Sequence, residues 1–266
     1  MSKVFAIANQ KGGVGKTTTN INLGASLANL GKKILTIDID PQGNTTSGLG
    51  ISKEDETLVS IYDVLINDAD IKDAIVKTQV NNLDIVTSNL QLAGAEVELV
   101  LMDFREYRLK NAIDEIRDRY DYIFIDCPPS LGLITINAFT AADGVLVPIQ
   151  CEYFALEGLT QLLGTIQKVK KTSNPKLDVE GVILTMFNAR TNLSIQVVEE
   201  VKKHFKAKLF TTIIPRNVRL GEAPSHGLPI HLYDPKCVGA VSYGELAQEF
   251  LDREMEEGWN DKKRIG

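Results

Sequence analysis

The feature that most constrains the fold is a glycine-rich segment near the start of the chain, residues 10–18, with the sequence QKGGVGKTT. An apolar run at residues 3–9 precedes it, and a segment with helical spacing at residues 16–30 follows it. In such a turn glycines let backbone N–H groups curl around an anion, and the start of the next helix adds the positive end of its dipole. The segment therefore predicts a strand–loop–helix unit that cradles phosphate oxygens.

Phosphate loops follow the pattern Gly, four residues, Gly-Lys-Ser/Thr, and here Gln10 replaces the first glycine. We expect Lys16 to reach the β- and γ-phosphates of a nucleotide, Thr17 to place its hydroxyl on Mg²⁺, and Thr18 to bind the α-phosphate. One alternative is a glycine turn without a ligand. Another is a dinucleotide held by Asp40, but the pattern Gly-x-Gly-x-x-Gly would end at Thr18 instead of a glycine. The residues predicted to bind the nucleotide are Lys11, Gly12, Gly13, Val14, Gly15, Lys16, Thr17 and Thr18.

Short apolar runs rich in β-branched residues alternate with segments of helical period along the whole chain. Strands are predicted at residues 3–9, 33–39, 83–87, 122–125, 144–149, 179–186 and 209–214. Helices are predicted at residues 16–30, 95–119, 156–171, 193–205 and about 238–257, with Gly31 ending the first and a short tail to residue 266. Because several strands are apolar on both faces, we expect one α/β domain over residues 1–266, a P-loop NTPase whose mostly parallel central sheet has helices on both faces.

Composition narrows the function classes. The net charge is −6, so contact with nucleic acid needs a local basic patch. Cys127, Cys151 and Cys237 form no Cys-x-x-Cys pair, which indicates buried thiols in a reducing compartment. The three histidines lack the spacing of a metal site. No apolar run approaches the roughly 20 residues that cross a bilayer. We therefore expect a cytoplasmic protein without a membrane span.

Two further strand ends supply carboxylates. The second predicted strand continues into DIDPQGN, where Asp38 and Asp40 lie on the same side because side chains alternate along a strand. Asp126 follows the apolar run YIFI, the Walker B arrangement that places a carboxylate beside a metal ion and its waters. Since ligands bind at the carboxyl ends of parallel strands, these acids are expected near the phosphate loop.

The glycine-rich loop and its second lysine, Lys11, resemble the deviant Walker A motif of the ParA/MinD ATPases. The resemblance implies a homodimer with ATP sandwiched between the subunits, in which Lys11 reaches the partner's phosphates and acts in catalysis with Lys16. It also implies that Asp40 orients or activates the attacking water and that residues 41–44 form a switch loop. Asp38 is the alternative acid, as a group near Mg²⁺ or as a structural cap.

A second resemblance lies at residues 216–230, RNVRLGEAPSHGLPI, which are similar to the signature of the Soj group of chromosomal ParA proteins. It implies a Mg²⁺-dependent ATPase, weak alone and stimulated by DNA and a ParB-type activator, that drives chromosome or plasmid partitioning on the nucleoid. By the same likeness Pro215 and Asn217 lie against the adenine, with Asn188 as a further candidate.

Positive charge is concentrated in residues 201–221, which contain six lysines or arginines and no acid, so the remaining residues carry −12 against −6 for the whole chain. The resemblance implies that Arg190 and Arg219 contact DNA, and the charge run adds Lys202 and Lys203. Such contacts bind phosphates without reading bases, so the predicted DNA binding is non-specific.

Three other functions remain as alternatives. A MinD-like membrane switch would need a basic amphipathic C-terminal helix, whereas Glu249, Asp252 and Glu254 make this one acidic; Trp259 and the basic residues 262–264 are the exception. A nitrogenase-type reductase would need paired cysteines for an iron–sulfur cluster. An ATP-dependent carboxylate ligase would turn over ATP only with a small substrate.

Overall fold

A computed structural model describes residues 2–152 and 157–265, with side chains described at residues 2–152 and 159–256. In this part of the chain seven strands form one sheet in the order β3-β4-β2-β5-β1-β6-β7. Every neighbouring pair is parallel except β3 and β4, which are antiparallel. The strands are β1 Lys3–Ile7, β2 Ile34–Asp38, β3 Ile75–Lys77, β4 Leu83–Val86, β5 Tyr122–Asp126, β6 Gly144–Gln150 and β7 Val179–Thr185.

Helices connect the strands and cover the sheet. They are α1 Lys16–Asn29, α2 Asn44–Gly48, α3 Ile61–Ile66, α4 Leu92–Val100, α5 Arg108–Asp114, α6 Leu133–Ala141, α7 Glu157–Thr172, α8 Asn192–Phe205, α9 Val218–Glu222, α10 Ile230–Tyr233 and α11 Val238–Ile265. Gly31 has a φ of 82° just after α1, the left-handed conformation expected of a residue that ends a helix. No helix in the described residues combines the length and the apolar character needed to cross a membrane.

The core has two layers, one on each face of the sheet. Along β1 the side chains alternate, so Val4 and Ala6 join the apolar cluster on one face while Phe5 and Ile7 join the cluster on the other. The first cluster continues into α3 to α8, and the second is closed by α1 and α11. This arrangement confirms the predicted α/β fold with a mostly parallel sheet between helical layers.

The strand predicted at residues 209–214 does not form. Leu209 makes an isolated bridge to Val182, and the N–H groups of Phe210 and Ile214 donate to Val182 and Leu184 of β7, both at 2.9 Å, but the residues between them form no ladder. The reason is Glu249 of α11, whose carboxylate accepts the N–H groups of Thr211 and Thr212 at 2.7 and 2.8 Å. Because successive N–H groups of a strand point in opposite directions, two consecutive N–H groups that bind one carboxylate do not belong to a regular strand. The sheet's seventh strand is instead β3, a short edge strand that the sequence did not reveal.

The single helix predicted at residues 95–119 is two helices, α4 and α5, separated by a turn. Phe104 adopts a left-handed φ of 51°, which ends regular helix. Asn137 of α6 secures the break, since its amide donates to the Arg105 carbonyl at 2.8 Å and its oxygen accepts the Leu109 N–H at 3.1 Å. A buried amide from a distant segment thus replaces helical hydrogen bonds.

Helix α11 runs to Ile265, past the predicted end near residue 257. The side chains of Trp259 and of the basic residues 262–264 lie outside the described part. The predicted start of the helix at residue 156 also lies outside the described residues, and α7 is described from Glu157.

Candidate nucleotide site

The site lies where three neighbouring parallel strands end. Strand β5 sits between β1 and β2, and Asp126 at its end is in register with Ile7 of β1 and with Asp38 of β2. The glycine loop follows β1, so it meets both carboxylates at one edge of the sheet. This placement agrees with the rule that ligands bind at the carboxyl ends of such strands.

The glycine loop has the conformation that its sequence predicts. Gly13 and Gly15 adopt left-handed φ values of 73° and 88°, which residues with a Cβ rarely take. The hydroxyl of Thr185 in β7 donates to the Val14 carbonyl at 2.8 Å, and the Asn9 oxygen accepts the Lys11 N–H at 3.0 Å. Contacts from neighbouring segments therefore hold the loop at the start of α1 in an anion-binding shape.

Buried charges of both signs meet beside the loop. Asp126 is fully buried, and its Oδ2 accepts the hydroxyls of Thr17 at 2.8 Å and Thr45 at 2.7 Å. Burial raises the pKa of Asp126, against these hydrogen bonds and the nearby Lys16 ammonium. Lys16 is 7% exposed, and burial lowers the pKa of its ammonium. The negative charge of Asp126 acts in the opposite direction and stabilises the protonated lysine.

Asp126 also leaves one oxygen unsatisfied. Its Oδ1 is buried and has no hydrogen-bond partner among the described residues. A buried carboxylate oxygen without a partner costs free energy, and a hydrated cation would satisfy it. The residues present therefore fit a Mg²⁺ ion next to Thr17, as the sequence predicted.

The two acids of β2 have different environments. Asp38 is fully buried, and its Oδ2 accepts both the N–H and the hydroxyl of Thr46, at 2.9 and 2.8 Å, in the first turn of α2. Burial and the neighbouring Asp126 raise the pKa of Asp38. Asp40 is 9% exposed, and its Oδ1 accepts the Gln42 N–H at 2.9 Å. Asp38 thus caps a helix, the structural alternative for this residue.

The predicted switch loop at residues 41–44 needs one correction. Pro41 and Gln42 form a turn, and Gly43 has a left-handed φ of 61°, but Asn44 is already the first residue of α2. Helix α2 starts here because Asp38 satisfies the N–H of its first turn.

Lys11 points to a group of its own chain. Its ammonium contacts the Glu152 carboxylate, and the two side chains are 28% and 41% exposed. The two lysines of the loop therefore differ, since Lys16 is buried beside carboxylates and Lys11 forms a partly exposed ion pair.

A cavity of about 450 Å³ adjoins the loop. Gly15 and Thr18 form one end of it, and the predicted base contacts Pro215 and Asn217 lie on its wall. Asn188 does not line this cavity, and its side-chain oxygen accepts the Arg190 N–H at 3.1 Å; its contact with the base stays a prediction. The wall residues that the sequence did not indicate include Thr185, Met186, Val218, Leu220 and Tyr243.

The predicted DNA contacts lie on two helices and one loop. Arg190 and Lys202 are exposed, whereas Lys203 pairs with Glu200 at 3.2 Å. Arg219 pairs with Glu222 at 2.8 Å and is 53% exposed. Acids from the same and other segments therefore partly neutralise the basic run at residues 201–221.

The signature segment at residues 216–230 connects the base cavity to α2. Gly227 and Gly50 both adopt left-handed φ values, 66° and 81°, and a Cβ on Gly227 would lie 2.6 Å from the Gly50 Cα. Further along, the Ile230 N–H donates to Asn22 of α1 at 2.7 Å. The glycine at residue 227 is required because two backbones touch there.

Comparison with known proteins agrees with this geometry. A family model described as an AAA domain matches residues 2–179. The sporulation initiation inhibitor protein Soj of Bacillus subtilis is 61% identical over 249 residues, covering 94% of this chain and 98% of that protein. The chromosome partitioning protein ParA of Caulobacter vibrioides is 52% identical over 256 residues, 96% of each chain.

Among solved structures, cobyrinic acid a,c-diamide synthase from Mycobacterium smegmatis with bound ADP and magnesium superimposes with a TM-score of 0.84. It is 38% identical and covers 97% of each chain. The motifs, the fold and these relatives agree, and the chain therefore belongs to the ParA/Soj family of P-loop ATPases.

Proposed function

We propose that this protein binds ATP with Mg²⁺ at the ends of β1, β2 and β5, hydrolyses it, and uses the cycle to partition DNA. The observation that carries the proposal is the continuity of the site. Gly15 and Thr18 belong both to the phosphate loop and to the wall of the 450 Å³ cavity. A base in the cavity and phosphates on the loop therefore suit one molecule, a nucleoside triphosphate.

Thr17 and Asp126 are the residues that would hold the metal side of the site. Mg²⁺ prefers oxygen ligands and keeps several waters, so it needs few protein groups when phosphates are present. In agreement, the described residues contain no cluster of three or more histidine, cysteine or acidic side chains that could hold a metal alone. When bound, the ion would supply positive charge next to the phosphates.

We assign the attacking water to Asp40. Its carboxylate lies at the rim of the site and is slightly exposed, whereas Asp38 is fully buried and occupied with Thr46. A carboxylate in hydrogen-bond reach of water can orient it and accept its proton, which contributes about 10²–10⁴ in rate.

Lys11 acts on the partner's nucleotide in an ATP-bound homodimer. Its present contact with Glu152 is a partly exposed ion pair, and such pairs contribute only about 0.2–1 kcal/mol. A phosphate of the partner subunit's nucleotide can therefore replace that carboxylate at small cost. A cation supplied in trans contributes about 10³–10⁵ in rate, so the monomer is a weak ATPase.

The relatives named Soj and ParA suggest the cellular role. In this proposal residues 1–266 work as one domain, and the ATP dimer binds nucleoid DNA without sequence preference through Arg190 and Arg219, with Lys202 and Lys203 as weaker contacts. A ParB-type protein stimulates hydrolysis, which returns the chain to monomers that release DNA.

The test is DNA binding with ATP and with ADP, titrated with salt. We expect tight binding only with ATP. If the dimer neutralises about five phosphates, log affinity falls with log salt at a slope of roughly −4 to −5. Arg190→Glu abolishes this binding while leaving ATP affinity unchanged. Lys32→Glu, just before the amino end of β2 and away from the nucleotide site, is the control for the added charge.

Equal binding with ADP, or a flat salt response, would contradict the DNA proposal. ATP-dependent sedimentation with anionic liposomes in place of DNA would favour a MinD-like membrane switch.

A second candidate function is an ATP-dependent amide-forming enzyme, because the similar solved structure bears the name of a diamide synthase. Such an enzyme would turn over ATP when a small carboxylic acid and a nitrogen donor are added. The proposed switch instead responds to DNA and a ParB-type protein, so parallel turnover assays separate the two.

A further inference from the structure

An unusual apolar surface lies on α4 and the turn after it. Val97, Val100, Leu101 and Phe104 are 72%, 52%, 87% and 80% exposed, and we call these four residues the α4 surface. The first three lie at i, i+3 and i+4, so they share one side of the helix. The opposite side of α4 is fully buried in the core through Leu92, Ala95 and Leu99.

Isolated exposed apolar residues are ordinary, but a group of four large ones next to each other marks an interaction site. Phe104 strengthens this view, because its left-handed φ of 51° is unusual for a large aromatic residue and holds its ring 80% exposed. The backbone here therefore presents an apolar side chain to the outside.

The surroundings of the α4 surface are acidic. A cavity of about 410 Å³ adjoins Phe104, and its wall contains Asp68, Asp70, Asp103 and Glu115. Three of these four acids face basic side chains, since Arg108 contacts Asp68, and Lys72 pairs with Asp70 at 3.4 Å and with Glu115 at 2.7 Å. Beyond the wall, the segment 96–106 adds three acids, Glu96, Glu98 and Glu106, against Arg105. A ligand that covers the α4 surface thus meets negative charge at its rim.

One acid of α4 connects this surface with the nucleotide site. The Glu96 carboxylate accepts the N–H groups of Leu133 at 2.9 Å and Ile134 at 3.4 Å, at the start of α6. Residues 127–132, which lead into α6, directly follow Asp126. A shift of α4 therefore moves the segment that continues from the metal-side carboxylate.

We propose that the α4 surface docks a segment of a partner protein that carries apolar anchors flanked by lysine or arginine, and that Glu96 transmits docking to the nucleotide site. The inference rests on the proposed ATPase function and names the chemistry of its protein regulator. Charge complementarity selects this occupant. A second copy of the chain is a poorer fit, because a two-fold contact would place the acidic rim against itself.

The probe is a fluorescent 18-residue helical peptide with leucine at i, i+3, i+4 and i+7 and lysine at the other positions, and the control has glutamate for lysine. Binding to the full-length protein is measured by anisotropy. We expect the lysine peptide to bind, the glutamate peptide to fail, and the double variant Leu101→Ser with Phe104→Asn to weaken binding about tenfold or more. Asparagine tolerates the left-handed conformation at 104.

The double variant keeps basal ATP affinity and turnover, because both side chains lie on the surface outside the nucleotide site. If the unmodified protein shows no basal ATP turnover, the proposed ATPase function is wrong, but the docking proposal is not affected. Equal binding of both peptides, or unchanged binding to the double variant, would overturn the docking proposal. If the double variant instead stops ATP-dependent dimer formation in sedimentation, the occupant is a second copy.

Transmission is tested with Glu96→Gln, which keeps one acceptor oxygen and removes the charge. We expect the peptide to change the turnover rate of the unmodified protein at saturating ATP. The peptide should bind Glu96→Gln with the same affinity but no longer change its turnover rate, and the KM of this variant for ATP should stay the same. Glu96→Asp should restore part of the turnover response. If the peptide binds without altering turnover, or if Glu96→Gln responds normally, the link through Glu96 is wrong.

Discussion

The phosphate end of the proposed nucleotide site is built at three neighbouring strand ends and carries buried charges, whereas its base end is lined mostly by apolar side chains. At the phosphate end, Lys16 and Asp126 are buried charges that hold or face polar groups. At the base end, Met186, Leu220 and Tyr243 belong to three different segments and line a cavity that is mostly apolar. The γ-phosphate can therefore be sensed only at the first end, while the second contributes affinity that ATP and ADP share.

The largest effect is expected when the hydrolytic part of the phosphate end is removed. Asp40→Ala should bind ATP normally but hydrolyse it about 10²–10⁴ times more slowly, because the carboxylate that orients the water is gone. Single-turnover release of phosphate measures this.

Asp40→Asn is the matched variant, since it keeps an oxygen for the Gln42 N–H that Asp40 accepts at 2.9 Å. It should be nearly as slow as the alanine variant. A normal rate in Asp40→Asn would mean that Asp40 only shapes the turn at residues 41–43.

The next effect concerns the buried lysine. Lys16→Ala should weaken ATP binding by roughly 30-fold to several thousandfold, because truncating one partner of a buried charge pair costs about 2–5 kcal/mol. Titration calorimetry with ATP measures it, and circular dichroism checks the fold. Lys11→Ala removes the same charge from the same loop and should keep monomer ATP affinity, so equal losses in both variants would erase the distinction between the two lysines.

A smaller effect, equal for ATP and ADP, is expected at the base end. The Asn217 oxygen accepts the Arg219 N–H at 2.8 Å and caps α9, so Asn217→Ala destabilises one wall of the cavity by about 0.5–2 kcal/mol. ATP and ADP affinity should fall together, up to about tenfold, with the rate constant of hydrolysis unchanged.

Aspartate is an equally good cap, so Asn217→Asp should keep the wall and show whether the amide itself contacts the base. An altered ratio of ATP to ADP affinity in either Asn217 variant would contradict the division between the two ends.

The smallest effect should follow from Glu152→Gln, which releases Lys11 from its ion pair. Because a partly exposed pair contributes about 0.2–1 kcal/mol, ATP-dependent dimerisation should tighten by no more than about fivefold for each of the two lysines that a dimer releases. Sedimentation velocity across a protein dilution series measures this. Weaker dimerisation in Glu152→Gln would indicate that this carboxylate itself belongs to the contact between subunits.

Local sequence patterns predicted the parallel sheet and the phosphate loop, because both depend on residues that are close together in the sequence. Strands apolar on both faces and the loop at residues 10–18 indicated the parallel sheet and the position of the phosphate end. The errors came from distant side chains. Glu249 binds the N–H groups of Thr211 and Thr212, and Asn137 stabilises the break between α4 and α5, and neither partner is visible in the local sequence.

The candidate site shows the same limit. The acids that end β2 and β5 could be predicted, but the hydroxyls that bind them come from α2, a five-residue helix without a detectable period. Thr45 and Thr46 were therefore missed, although a pair of threonines shortly after a strand-end acid is a usable signal. Met186 and Tyr243 join the base end only through the tertiary fold.

The most direct test of the central claim, an ATP-driven dimer, is the mass of Asp40→Ala in sedimentation equilibrium with Mg²⁺ and either ATP or ADP. Hydrolysis is slow in this variant, so we expect a dimer with ATP and a monomer with ADP, and a monomer with both nucleotides once Lys11→Ala is added. The same mass with ATP and ADP would contradict the claim that the phosphate loop controls assembly.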